Sequence, residues 1–175
     1  MKTKIILITL LAFMPAAAMA TSGDHPAPQP GSAEFERIKS LAGTWEGESK
    51  ETGQDDQKVN VEYEITSGGN AVVERLFKGT PHEMVSVYYD KDGKLNMTHY
   101  CMLPNRPQLE LTRSEGDRID LELEPASPMN QTGEPHMHAL TIAFSGPDKV
   151  QQTWIGYEGG EPKDSSTVLT LSRVR

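Results

Sequence analysis

From Thr44 onward the chain reads in twos. Val59, Val61, Tyr63 and Ile65 alternate with Asn60, Glu62 and Glu64. Ile119, Leu121 and Leu123 alternate with Asp120, Glu122 and Glu124, and Leu140, Ile142 and Phe144 share a third such face. Apolar residues at every second position fit a strand with one face buried and one wet, and they do not fit a helix. Ten segments carry this signature: Thr44–Lys50, Lys58–Thr66, Asn70–Lys78, His82–Asp90, Lys94–Met102, Pro107–Ser114, Asp117–Glu124, His136–Phe144, Lys149–Tyr157 and Ser165–Val174. The connections Ser67-Gly68-Gly69-Asn70, Asp90-Lys91-Asp92-Gly93, Glu115-Gly116-Asp117 and Ser145-Gly146-Pro147-Asp148 are hairpin turns by composition. With no helix between the strands, the order is an antiparallel meander. A sheet that long closes on itself, because closure removes unpaired edges. The expected fold is therefore all-β: an antiparallel up-and-down barrel of about ten strands with one short N-terminal helix.

The helix signal precedes the strands. Ser32 is an N-cap candidate and Glu34 lies in the first turn. Phe35, Ile38 and Leu41 form one apolar stripe, and Gly43 ends it. A helix of this length is marginal alone and must pack on something larger. One strand segment breaks the alternation: Val72, Val73, Leu76 and Phe77 occupy both faces, which a bulge or an external helix would explain. Within it, one of Glu74 and Arg75 must face the inside, unless a bulge turns the charge outward.

Residues 1–20 have the form of an export signal. Lys2 and Lys4 precede the apolar run Ile5–Phe13, Pro15 breaks it, and Ala18-Met19-Ala20 is an A-x-A cleavage pattern. The run is too short to span a bilayer, which takes roughly 20 apolar residues. The chain divides into a signal at 1–20, a Pro/Gly-rich leader at 21–31 that includes a solvated His25, and a barrel domain at 32–175. The expected location is periplasmic or secreted. Removing two lysines with the signal takes the formal net charge from −8 to −10. A scattered, strongly acidic surface argues against nucleic acid and anionic lipid as partners. A single cysteine, Cys101, excludes an intramolecular disulfide.

The short helix leading into Leu41-Ala42-Gly43-Thr44-Trp45-Glu46-Gly47, followed by a full meander, resembles the calycin-type barrels: lipocalins, fatty-acid-binding proteins and their bacterial lipocalin-like relatives. In such barrels a Gly-x-Trp on the first strand closes the base, and the matching residues are Gly43 and Trp45. Thr98-His99-Tyr100-Cys101, with Asn105-Arg106-Pro107 after it, is similar to a motif of uncharacterised secreted bacterial members of that group. The resemblance implies binding of a small molecule and leaves its identity open.

Strand parity gathers the chemistry at one end. In a simple up-and-down order His82, His99, Cys101, His136 and His138 all fall at the same end of the barrel. His99 and Cys101 share the face of Leu95 and Met97; His136 and His138 share that of Leu140 and Ile142. These eight residues, Leu95, Met97, His99, Cys101, His136, His138, Leu140 and Ile142, are the expected wall of a cavity for a small, apolar or amphipathic ligand. Two other readings stand beside it. His136, His138 and His99 could hold zinc or haem: His136-x-His138 is similar to the His-x-His of secreted zinc-binding lipocalin-like proteins, and nitrobindin-type haem barrels share Gly43, Trp45 and Gly47, although Ser49 replaces a further glycine. Alternatively the histidines are inert polar residues at strand ends. No catalytic set is expected. Cys101 and His99, about 7 Å apart along one strand face, are too distant for a nucleophile–base pair unless the side chains lean together. The Glu124–Pro135 connection, at the same end, has the place of a lid.

Overall fold

The computed structural model describes residues 30–175. The expected signal, and the leader apart from Pro30 and Gly31, lie outside the described residues. Helix α1 (Ala33–Lys39) is followed by β1 (Gly43–Glu51), β2 (Gln57–Thr66), β3 (Ala71–Leu76), β4 (Met84–Lys91), β5 (Lys94–Tyr100), β6 (Gln108–Glu115) and β7 (Arg118–Leu123). A short α2 (Met129–Thr132) then leads to β8 (His136–Phe144), β9 (Lys149–Glu158) and β10 (Glu161–Arg173). Each strand pairs antiparallel with its neighbours in sequence, and β10 returns to pair with β1. The structure is the closed ten-stranded barrel that the alternation predicts.

Helix α1 closes one end. Its N-cap Ser32 accepts a hydrogen bond from the Phe35 amide (3.1 Å) and donates to Asp90 at the end of β4 (2.8 Å). Arg37 donates to the Gly116 carbonyl in the β6–β7 turn (2.8 Å). Phe35, Ile38 and Leu41 are buried against the barrel. At the same end the Trp45 indole donates to the Leu41 carbonyl (2.7 Å), and the Arg173 guanidinium covers its ring at 4.3 Å. Arg173 in turn donates to the Ala42 and Ser40 carbonyls, satisfying helix-end oxygens that lack intrahelical partners. Gly47 is required two residues on. A Cβ there would lie 1.9 Å from the Thr170 carbonyl oxygen of β10.

Three sequence expectations change. The disturbed pattern at 70–78 is not a bulge. Strand β3 alternates regularly, with Val72, Glu74 and Leu76 buried, and ends at Leu76; Phe77, at φ 54°, begins a turn and so resets the alternation. Glu74 therefore points inward, and Arg75 outward towards Glu83. His82 lies in the turn before β4, exposed, rather than at a strand start. The third change concerns β8. His136 pairs with Tyr157 and Leu140 pairs with Trp154, with a register shift between Met137 and Ala139. Trp154 and Tyr157 are three apart on an uninterrupted strand, so they point to opposite faces. The bulge at His138 thus turns His136 away from the face of Leu140 and Ile142.

Leu95, Met97, Leu140 and Ile142 do face inward, with at most 1% of their surface free. A side chain bordering an open cavity keeps free surface, so this part of the interior is filled by the protein's own side chains. Burying each contributes about 2 kcal/mol. Among the described residues no helix is long and apolar enough to cross a membrane.

Candidate functional site at the mouth of the barrel

A polar rung crosses the packed interior, from Tyr63 beside Trp45 to His99 near the opposite end. Tyr63 on β2, Glu74 on β3, Ser86 on β4 and His99 on β5 are successive cross-strand partners, all inward and all buried. Tyr88, two residues along from Ser86, donates its hydroxyl to Glu74 (3.0 Å). From the opposite wall Gln152 donates to Tyr63 (2.6 Å) and to Glu74. Trp154 donates its indole N–H to the Gln152 oxygen (2.9 Å). Since an indole N–H can only donate, the Gln152 oxygen must face Trp154 and its amide nitrogen must face Glu74. The orientation of that amide is fixed by chemistry.

Burial pushes the Glu74 carboxyl above the ordinary range, and hydrogen bonds from Tyr63, Gln152, Ser86 and Tyr88 pull it back. The same burial, with the Glu74 charge beside them, raises both tyrosine hydroxyls well above theirs. His99 Nδ1 lies 3.0 Å from the Ser86 oxygen. Burial lowers its pKa to about 4, so the ring is neutral near pH 7. Its other nitrogen has no partner. Among the described residues only two buried side-chain atoms share that condition, His99 Nε2 and Asn105 Oδ1. Both belong to the Thr98–Pro107 stretch that the sequence singles out. A buried polar atom left unpaired costs about 1–3 kcal/mol, which invites a partner.

Above the rung the barrel opens. The His99 ring packs against Trp154, centroids 4.7 Å apart and tilted by 42°. Trp154 also lines a cavity of about 360 Å³, together with the apolar Leu103, Pro135 and Met137 and the charged Glu51, Glu158 and Lys163. The Glu124–Pro135 connection is tied down over one side: Asn105 donates to the Pro135 carbonyl (2.7 Å) and the Gly159 amide to the Gly133 carbonyl (2.8 Å). The volume is at the small end of the range for ligand pockets, roughly 300–1,000 Å³.

The eight expected wall residues separate into groups. Leu95, Met97, Leu140 and Ile142 are packed core, and His99 belongs to the rung. Cys101, a half-buried free thiol, lies just past the end of β5. His136 and His138 form a separate cluster. His136 Nδ1 donates to the Glu134 carbonyl (2.7 Å), so its Nε2 accepts from His138 Nδ1 (3.1 Å) when both rings are neutral. His138 stacks on Tyr157 at 3.6 Å. Burial first, and then His136, lowers the His138 pKa. Among the described residues no group of three or more His, Cys, Asp or Glu side chains is placed to hold a metal. Sequence reasoning missed Tyr63, Ser86, Tyr88 and Gln152, and left Glu74 undecided. The one available signal was that Glu74 alternates with Val72 and Leu76.

No protein-family model matches the chain, and no curated protein matches its sequence. Its fold is similar to that of a protein of unknown function from the DUF3598 family of Nostoc punctiforme: TM-score 0.58, 15% identity, over 87% of this chain and 53% of that one. This chain thus spans about half the length of the Nostoc protein. It is also similar to Rv2717c from M. tuberculosis, with TM-score 0.53 and 14% identity over 83% of this chain and 100% of that one. At these identities the likeness shows a shared barrel fold.

Proposed function

We propose that this protein binds and carries a small, partly apolar molecule at the mouth of its barrel, as a lipocalin-like protein of the cell envelope exported by way of residues 1–20. The observation that carries the reading is a half-open cavity lined by Trp154, whose ring packs against His99 with its buried, partnerless Nε2. Trp154, Leu103, Pro135 and Met137 give that cavity an apolar side, and Glu51, Glu158 and Lys163 give it a charged one, which suits a molecule that is only partly apolar. Trp45 and Trp154 are the two tryptophans, so a Trp45→Phe variant reports on Trp154 alone. Titrated with the neutral fluorophore N-phenyl-1-naphthylamine, it should show saturable energy transfer from Trp154. Leu103→Arg should weaken that transfer by at least tenfold. Transfer that never saturates, or that ignores Leu103→Arg, would count against the reading.

The same nitrogen favours a second reading. A neutral imidazole whose Nδ1 is held by a neighbour is the form that ligates metal through Nε2. Zinc needs further protein ligands, and His136 and His138 bond to each other. Haem needs only an axial ligand, which His99 could supply. Haem reconstitution giving a Soret band that disappears in His99→Phe would establish it; identical spectra in the two proteins would remove it.

A further inference from the structure

The charged side of the mouth cavity carries both signs and keeps them apart. Lys163 reaches it because two local irregularities coincide. The β9–β10 register shifts between Pro162 and Ser166, which leaves Lys163 out of the ladder. Gly156, two residues along from Trp154 on the same face of β9, leaves room for the lysine stem: a Cβ there would stand 3.3 Å from the Lys163 Cδ. The stem therefore crosses β9 beside the cavity that Lys163, Glu51 and Glu158 all line. Lys50, one residue before Glu51, pairs with Asp56 at 2.9 Å. Among the described residues neither Lys163, Glu51 nor Glu158 makes an ion pair. Glu158 also stands directly opposite Glu161 across the β9–β10 hairpin, a destabilising pairing of like charges.

We propose that the molecule carried at the mouth is a small zwitterion with an apolar side chain: its anionic group meets Lys163, its ammonium meets Glu51 and Glu158, and its apolar part lies against Trp154. A ligand entering the cavity displaces water from all three charged groups, and each one left without a partner weakens binding. An anion pairs with Lys163 and faces two carboxylates. A cation pairs with the carboxylates and faces the lysine ammonium. A neutral molecule pairs with none and binds by its apolar surface alone. A ligand of both signs gives every charged group a partner. This inference rests on the small-molecule reading above and adds the class of ligand.

L-Phenylalanine, phenethylamine and 3-phenylpropanoate share one apolar group and differ in charge. Calorimetric titration of each into the wild-type protein at pH 7 and low salt tests the class. Phenylalanine should bind about fivefold more tightly than either analogue, the equivalent of one exposed ion pair, and added salt should shrink that preference. Lys163→Met keeps a stem across Gly156 and removes the charge. It should erase the preference over phenethylamine and keep the preference over 3-phenylpropanoate. The Glu51→Gln/Glu158→Gln pair should do the reverse. Lys163 and Glu158 are exposed, so these changes leave the barrel's packing alone. Equal binding of the three compounds, tighter binding of a singly charged one, or a preference that Lys163→Met leaves unchanged overturns the zwitterion assignment. Saturable binding of N-phenyl-1-naphthylamine alongside any of those results leaves the small-molecule reading standing. Binding of none of the four compounds overturns both.

Discussion

The neutral, buried state of His99 has a measurable cost in acid. Burial strips water from the ring and lowers its pKa from the ordinary 6.5 to about 4. The unfolded chain therefore binds this proton at a higher pH than the native barrel does. Where the unfolded state holds more protons, stability rises with pH. The contribution of neutral His99 is complete above pH 6.5 and is lost as pH falls towards 4. At about 1.36 kcal/mol per pKa unit, the loss is about 1 kcal/mol at pH 5.5 and about 3 kcal/mol at pH 4. His99→Phe keeps a flat ring against Trp154 and cannot titrate. Urea unfolding of both proteins at pH 7, 5.5 and 4 isolates the effect, because every other group is common to the two. The stability difference should move in favour of His99→Phe by about 3 kcal/mol between pH 7 and pH 4. Parallel curves would mean that His99 titrates normally, and that the ring is wet rather than sealed against Trp154.

Three further outcomes follow from the packing. Gly47→Ala places a Cβ against the Thr170 carbonyl and should lower the midpoint of urea unfolding by the equivalent of about 2 kcal/mol or more, or prevent folding. Trp45→Ala empties the base beneath Arg173 and should cost about 3–5 kcal/mol by the same measure, while Trp45→Phe costs much less. Ser32→Ala removes the cap and the tie to Asp90 and should cost about 1 kcal/mol, read as faster amide exchange in Phe35 and Glu36.

The strands were legible because each hides one face and wets the other, and because Gly and Asp turns punctuate them. Closure followed from their number. The gathering of His99, Cys101 and His136 at one end followed from parity, which survives errors of a residue or two at strand ends. Facing does not survive them. One extra residue at His138 reverses His136, and nothing in Pro135-His136-Met137-His138-Ala139 marks it. The rung was hidden for a different reason. Tyr63, Glu74, Ser86 and His99 meet only because four registers align them, and Gln152 arrives from the opposite wall. No local pattern encodes such a meeting. Glu74 was ambiguous because alternation alone cannot distinguish a buried carboxylate from a bulged one until its donors are in place.

The proposed function requires the cavity at the mouth of the barrel to hold a molecule in the living cell. Native mass spectrometry of the protein purified from its own host tests it directly. The expected spectrum shows a chain lacking residues 1–20 with a noncovalent small molecule attached, and loss of that added mass in both His99→Phe and Leu103→Arg. A spectrum of the polypeptide alone under gentle conditions, or an added mass that both substitutions leave in place, would contradict it.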